Sequence, residues 1–265
     1  MQTRAVSLAL FLVTVVLAVP RVHAADQNPP DDYLCYMAGT TRNKRLAPIS
    51  GSRVTLQDRM GTQTFKLRRL ASLCNPAGID GDVVSHANVH LEGITIKKEK
   101  TASKFVPVPR LVTDRFGTRT LELKIPTSYF DVTPAVPGTT APPYFGDDPT
   151  TSASEINRFK CYAAALPKGA PKFVPPPPPT VTDDVFPGGQ AYVIKKVTEV
   201  CFAAAADGAP DDGATRPKAL VCYAVKQPKG VKVVRQTVGT HGRTVGARVV
   251  GRRKVSALCV LGTVS

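Results

Sequence analysis

From Thr62 to Leu67 polar and apolar residues alternate, and the same alternation returns from Thr118 to Leu123. A period of two marks strands that bury one face and wet the other. Each run starts just after a glycine, Gly61 or Gly117, and each glycine follows an Asp-Arg-Met or Asp-Arg-Phe segment beginning at Asp58 or Asp114. Upstream again lies a Val-Thr stretch, at Val54 and at Val112. The pattern predicts a hairpin: one strand, a tight turn whose glycine takes positive φ, and a second strand. A further short strand is predicted around each Cys-Tyr pair, at Cys35, Cys161 and Cys222, because apolar residues flank all three.

These pieces recur in one order, which makes the chain an internal repeat. Thirteen residues after Gly61, Gly188 and Gly246 come Cys74, Cys201 and Cys259, and the matching place after Gly117 holds Phe130. Units three and four share Cys-Tyr-Ala and then Pro-Lys-Gly, at Pro167 and Pro228, with identical spacing. Units two and three share Lys-Phe-Val-Pro, beginning at Lys104 and Lys172. The proline-rich pieces that follow, Pro107 to Pro109 and Pro175 to Pro179, read as extended surface connections, since proline donates no ladder hydrogen bond.

A unit of about fifty residues with three short strands buries too little to stand alone. The expected fold is therefore all-β: tandem disulfide-stapled β repeats forming two small sandwich- or barrel-like domains, residues 25–132 and residues 156–265. The Pro/Thr/Gly-rich stretch 133–155 reads as the linker between them, and residues 203–217 as a shorter loop.

Residues 1–24 read as a secretory signal peptide. Arg4 supplies the positive end, Ala5 to Val19 the apolar segment, and Val22 and Ala24 the small residues expected before a cut after Ala24. The apolar run is too short to span a bilayer comfortably, so no transmembrane anchor is expected after cleavage. Loss of Arg4 and Arg21 leaves 33 basic against 20 acidic residues, a basic protein of about +13. Periplasmic or extracellular location follows from the leader, and six cysteines in an exported chain point to bridges.

Spacing alone permits fifteen pairings of six cysteines. The repeat selects one set. Unit two lacks its second cysteine, at Phe130, and also its first, whose place falls on His90 or Leu91. Joint loss is what pairing inside each unit predicts, giving Cys35–Cys74, Cys161–Cys201 and Cys222–Cys259. Each closes a loop of about forty residues, contributing on the order of 3–4 kcal/mol in the chain-entropy account.

Candidate chemistry is sparse. Basic pairs recur seven and eight residues after the glycine, at Arg68 and Arg69, Lys195 and Lys196, and Arg253 and Lys254 preceded by Arg252. One reading makes Arg68, Arg69, Lys195, Lys196, Arg252 and Arg253 a ladder of contacts for an acidic polysaccharide or other envelope polyanion. The other makes them guards against edge pairing at strand ends. His86 and His90 have metal-ligand spacing only on a helix, and they fall near the start of a predicted strand with no third ligand nearby. His241 reads as a turn residue. Asp58 and Asp114, at equivalent places before the turn glycine, read as turn hydrogen-bonders rather than as a catalytic pair. No cofactor, metal or dedicated nucleic-acid motif is indicated, and nothing supports a nucleophile elbow.

The Phe-Lys-Cys-Tyr segment at Phe159, the Val-Thr-Asp-Arg-Phe-Gly turn ending at Gly117 and the closing Leu-Cys together resemble a family of uncharacterised secreted bacterial tandem-repeat domains. The resemblance covers nearly all of the chain beyond the leader. It departs in unit two, which lacks both cysteines, and in unit four, where Thr244-Val245 replaces Asp-Arg-Phe before the glycine. It implies export and kinship of fold, and it carries no catalytic residue. The expected role is a secreted structural or binding module without catalysis. The alternatives are an electrostatic polyanion- or glycan-binding envelope protein and, third, a secreted hydrolase.

Overall fold

The computed structural model describes residues 31–40, 49, 51–100, 104–142, 158–207, 218–231, 233 and 235–265. The predicted leader, residues 143–155 of the predicted linker and most of the shorter loop lie outside the described residues. Those described form fourteen strands and no helix. They are β1 (Asp32–Gly39), β2 (Arg53–Asp58), β3 (Gly61–Ile79), β4 (His90–Lys98), β5 (Val108–Asp114), β6 (Gly117–Thr133), β7 (Ala135–Pro137), β8 (Arg158–Ala165), β9 (Thr180–Thr182), β10 (Gln190–Ala191), β11 (Val193–Ala206), β12 (Lys218–Lys226), β13 (Thr237–Gly242) and β14 (Gly246–Val264).

Each unit contributes one short strand built on the first-cysteine position (β1, β4, β8, β12) and one long strand after the turn glycine (β3, β6, β11, β14). These eight pair antiparallel in the order β1, β3, β4, β6, β8, β11, β12, β14, and β14 returns to β1. The sheet closes into a ring. Its register is the same in every unit: Cys35 faces Cys74, Gly93 faces Phe130, Cys161 faces Cys201 and Cys222 faces Cys259. Between units it again repeats, with Gly93 opposite Ser72, Cys161 opposite Ser128, Cys222 opposite Glu199 and Cys35 opposite Ala257.

Two separate two-unit domains therefore give way to one continuous sheet. β6 of unit two pairs with β8 of unit three, and β14 of unit four with β1 of unit one. Opposite units are also tied. β2 pairs with the tail of β11, β5 with the tail of β14, and β9 with the tail of β3. The fourth such contact is between β13 and β7, which follows β6 after Pro134. The start of the predicted linker is thus the tail of a long strand, and Ala203 to Ala206 belong to β11 rather than to a loop. The tails of β3 and β11 end on Asp80 and Asp207, both at positive φ, and each carboxylate accepts a backbone N–H from the opposite hairpin, Thr180 or Thr55.

Alternation decides what the ring encloses. All three bridges join cysteines of the same unit, Cys35–Cys74, Cys161–Cys201 and Cys222–Cys259. With Phe130, Leu91, Phe159 and Leu220 they form one buried cluster to which every ring strand contributes. The place of the missing first cysteine is Gly93, not His90 or Leu91. A Cβ there would come 2.9 Å from the Phe130 ring and 2.0 Å from Ser72 Oγ, so the aromatic ring fills the volume that a bridge fills elsewhere. The other strand faces carry a second buried cluster that includes Tyr36, Tyr162 and Tyr223.

Candidate functional site

The residue after each first cysteine points away from the bridges and meets the hairpin turn of the opposite unit. The Tyr162 hydroxyl donates to Asp58 Oδ2 at 2.8 Å and the Tyr36 hydroxyl to Asp183 Oδ2 at 2.7 Å. Tyr223 donates likewise to Asp114. The second carboxylate oxygen of each aspartate caps its own turn, accepting from Met60 N, Phe116 N, or Val185 N and Phe186 N. Asp58 and Asp114 are turn hydrogen-bonders, and each also holds a tyrosine 104 or 109 residues away. The reading of one chain segment at a time missed that second role. A signal for it existed, since unit two has Ile94 in place of the tyrosine while unit four has Gly242 in place of its aspartate.

A cation completes each tie. Lys160 Nζ lies 3.3 Å from Asp58 Oδ1 and donates to Gly61 O. Arg119 donates to the Tyr223 hydroxyl and to the turn carbonyls of Phe116 and Gly117, and pairs with Asp114. Arg252 pairs with Asp184 at 2.7 Å, beside the Tyr36–Asp183 contact, and donates to Gln236. Burial raises the pKa of the three aspartates, and their hydrogen-bond donors oppose the shift. The tyrosines rise far above their ordinary value, first through burial and then through the charge of the aspartate each one faces. They stay protonated at neutral pH and donate.

The fourth quadrant is built differently. Glu92 occupies the position that Lys160 holds in unit three, and it is fully buried at the turn of unit four. A Cβ on Gly242 would come 2.5 Å from Glu92 Oε2, so the carboxylate packs directly against that turn. Among the described residues neither Glu92 oxygen has a hydrogen-bond partner of good geometry. Burial pushes its pKa up to about 7, Thr240 and Arg248 oppose the shift, and the Asp131 charge adds to it.

Two clefts open beside the first two hairpin turns, and they are built from equivalent residues. One, of about 460 Å³, is lined by Phe116, Thr118, Arg119, Leu166, Lys172 and Phe173 among others. Its counterpart, of about 510 Å³, is lined by Met60, Gly61, Thr62, Lys104, Phe105 and Lys160 among others. The shared Lys-Phe-Val segment of the next unit forms the outer wall in both. Phe105 packs on Tyr162 with ring centroids 5.3 Å apart, and Phe173 on Tyr223 at 5.8 Å.

The recurring basic pairs sit at β-bulges, not at free strand ends. Register shifts fall between Leu67 and Arg69, between Leu123 and Pro126, between Ile194 and Lys196, and between Arg252 and Val255. A bulge inserts one extra residue and breaks alternation, so neighbours in sequence can both reach solvent. Lys195 and Lys196 are both exposed, as is Arg68, whereas Arg69 and Arg253 are half-buried. Arg252 is only 1% exposed and does not belong to any surface ladder. Because the four long strands alternate around the ring, the pairs form a belt rather than converging on one face.

The histidines fall apart as a pair. His86 is buried against Asp31, and His90 Nδ1 contacts Asn88 O. His241 lies within β13 opposite Ala247, not in a turn. Glu199 is the carboxylate near Cys161 and Cys201, but those sulfurs are bonded to each other and offer no thiolate to a metal.

Comparison with family models, with curated proteins and with solved structures gave no match. Among the described residues no helix is long and apolar enough to cross a membrane. Three bridges fit an oxidising compartment.

Proposed function

We propose that this chain is a secreted structural or binding module of the cell envelope or extracellular space, exported by a leader cleaved after Ala24 and acting without catalysis. It belongs, in this reading, with the secreted bacterial tandem-repeat domains it resembles. One observation carries the proposal: its recurring polar groups are committed to the ring itself. Tyr36, Tyr162 and Tyr223 are buried donors to Asp183, Asp58 and Asp114, and the cations beside them are held by the same carboxylates or by Asp184. An acid, base or nucleophile must reach a substrate, and these groups reach each other.

A second reading, electrostatic binding of an acidic polysaccharide, is favoured by the exposed cations at the bulges. Salt-dependent retention on immobilised heparin separates the two. Changing Arg68, Arg69, Lys195, Lys196 and Arg253 to Ser should lower retention no more than changing five exposed cations away from the bulges, Lys97, Lys168, Lys226, Lys229 and Arg243. Equal loss means attraction by net charge alone. A far larger loss for the bulge set, with a flatter salt dependence, would establish a dedicated polyanion site.

A further inference from the structure

The two clefts carry the strongest unassigned feature. That beside the second hairpin turn is lined by two aromatic residues, Phe116 and Phe173, and by apolar Leu166, Pro167, Ala170 and Pro171. No acidic residue lines it, and two cations do, Arg119 and the exposed Lys172. Arg119 stacks over Phe173 at 5.2 Å and over Tyr223 at 5.5 Å, so a positive charge lies against the aromatic wall. At the rim Val174 is 82% exposed, and its counterpart Val106, at the other cleft, is 72% exposed. These two valines add apolar surface at equivalent positions on the rims of the two clefts. The proline-flanked walls limit the rearrangement that binding would require. The volume lies within the range of small-molecule sites, which are mostly apolar with a few placed polar groups.

We propose that the cleft formed by Phe116, Arg119, Lys172, Phe173 and Val174 binds a small amphiphilic anion, a flat apolar body bearing one acidic group. The cleft at Met60, Lys104, Phe105 and Lys160 is its repeat, with Gln63 in place of Arg119 and with Glu99, paired with Arg53 and Lys66, in its lining. The ligand's flat apolar body packs against the lining of Phe116, Phe173 and Val174, and its acidic group meets Lys172. The inference rests on the reading of the chain as a non-catalytic binding module and supplies that module with a ligand class.

The test uses two fluorescent probes with the same ring system. 8-Anilinonaphthalene-1-sulfonate carries a sulfonate, and N-phenyl-1-naphthylamine does not. Emission of the sulfonate should rise saturably with the folded full chain, while the far-UV strand signal stays constant. Lys172→Ser should weaken the sulfonate roughly tenfold and leave the neutral probe unchanged, whereas Val174→Ser should weaken both several-fold. Both positions are exposed, so neither change threatens the fold; Phe173→Ala serves as a third, deeper variant. The proposal is overturned if both exposed variants bind the sulfonate like wild type, if the two probes bind equally and ignore Lys172, or if emission appears only as the strand signal is lost. Failure of the non-catalytic reading looks different. Steady hydrolysis of 4-nitrophenyl acetate above the rate of heat-unfolded protein would reject that reading and leave the probe result standing.

Discussion

Glu92 is a carboxylate held where the other quadrants hold a tyrosine–aspartate contact, and its burial gives the protein a pH dependence with a definite sign. Its folded pKa of about 7 lies above the ordinary 4.5. Between those values the folded chain keeps a proton that the unfolded chain has lost. The contribution to stability is complete below pH 4.5 and disappears as pH rises through 7, on the order of 3 kcal/mol in all. Two other groups titrate in the same range. Asp32, raised to about 6 chiefly by burial, acts in the same direction. His90, lowered to about 4 by burial and by the Arg252 charge, acts in the opposite one. Glu92→Gln isolates the first effect, because Asp32 and His90 cancel in the difference from wild type. The variant should match wild type near pH 5 and exceed it by a few kcal/mol at pH 8, as read by denaturant melts. Parallel stability curves across that range would mean that Glu92 is ionised in the folded chain.

At the scale of the strand pair, unit two shows how a bridge can be lost without losing the fold. Gly93 and Phe130 occupy the register that Cys35 and Cys74 occupy in unit one. The ring of Phe130 takes the volume of two sulfurs, and only a residue without Cβ fits opposite it. Gly93→Cys with Phe130→Cys should therefore close a fourth bridge spontaneously. Thiol titration of the folded double variant should find no free sulfhydryl, and its stability should exceed that of Phe130→Cys alone by about 2–4 kcal/mol. Two persistent thiols would show that the register of unit two differs from the others. How much of this was legible beforehand depended on spacing. The strands around Cys35, Val54 and Thr62, and the turn glycines Gly61 and Gly117 at positive φ, follow from short-range pattern alone. Pairing of cysteines followed from joint loss at Phe130, although the partner was placed two or three residues early, on His90 or Leu91. The sequence of unit two has no cysteine to mark the register, and the glycine that replaces it carries no side chain to draw notice. The tyrosine–aspartate ties were hidden for a different reason. They join units that are not neighbours in the chain, and only the coincidence of Ile94 with Gly242 pointed to them. The two clefts were foreshadowed by the repeated Lys-Phe-Val, but nothing local says that this segment faces the turn of the preceding unit.

At the scale of the whole molecule, closing the ring joins the two expected domains in one continuous sheet. The described start of the stretch read as a linker, Thr133 and Ala135 to Pro137, belongs to β6 and β7. Every ring strand sends residues into the cluster around the bridges, so parting the halves would open that cluster along two seams, β6 with β8 and β14 with β1. It would also strand buried partners, since Tyr162 and Lys160 belong to one half and Asp58 to the other, while Tyr223 and Asp114 face each other across the same divide. A buried carboxylate or hydroxyl without its partner costs about 1–3 kcal/mol apiece, before any apolar surface is counted. The three bridges all lie within single units, so none holds the halves together covalently. A protease site placed between positions 149 and 150 tests this arrangement cleanly. After cutting, the protein should run as one particle of unchanged size under native conditions and melt in a single transition. In detergent without reductant it should separate into two fragments. Two species on native size exclusion, each keeping its strand signal, would mean that each pair of units is stable by itself and that the seams between pairs contribute little.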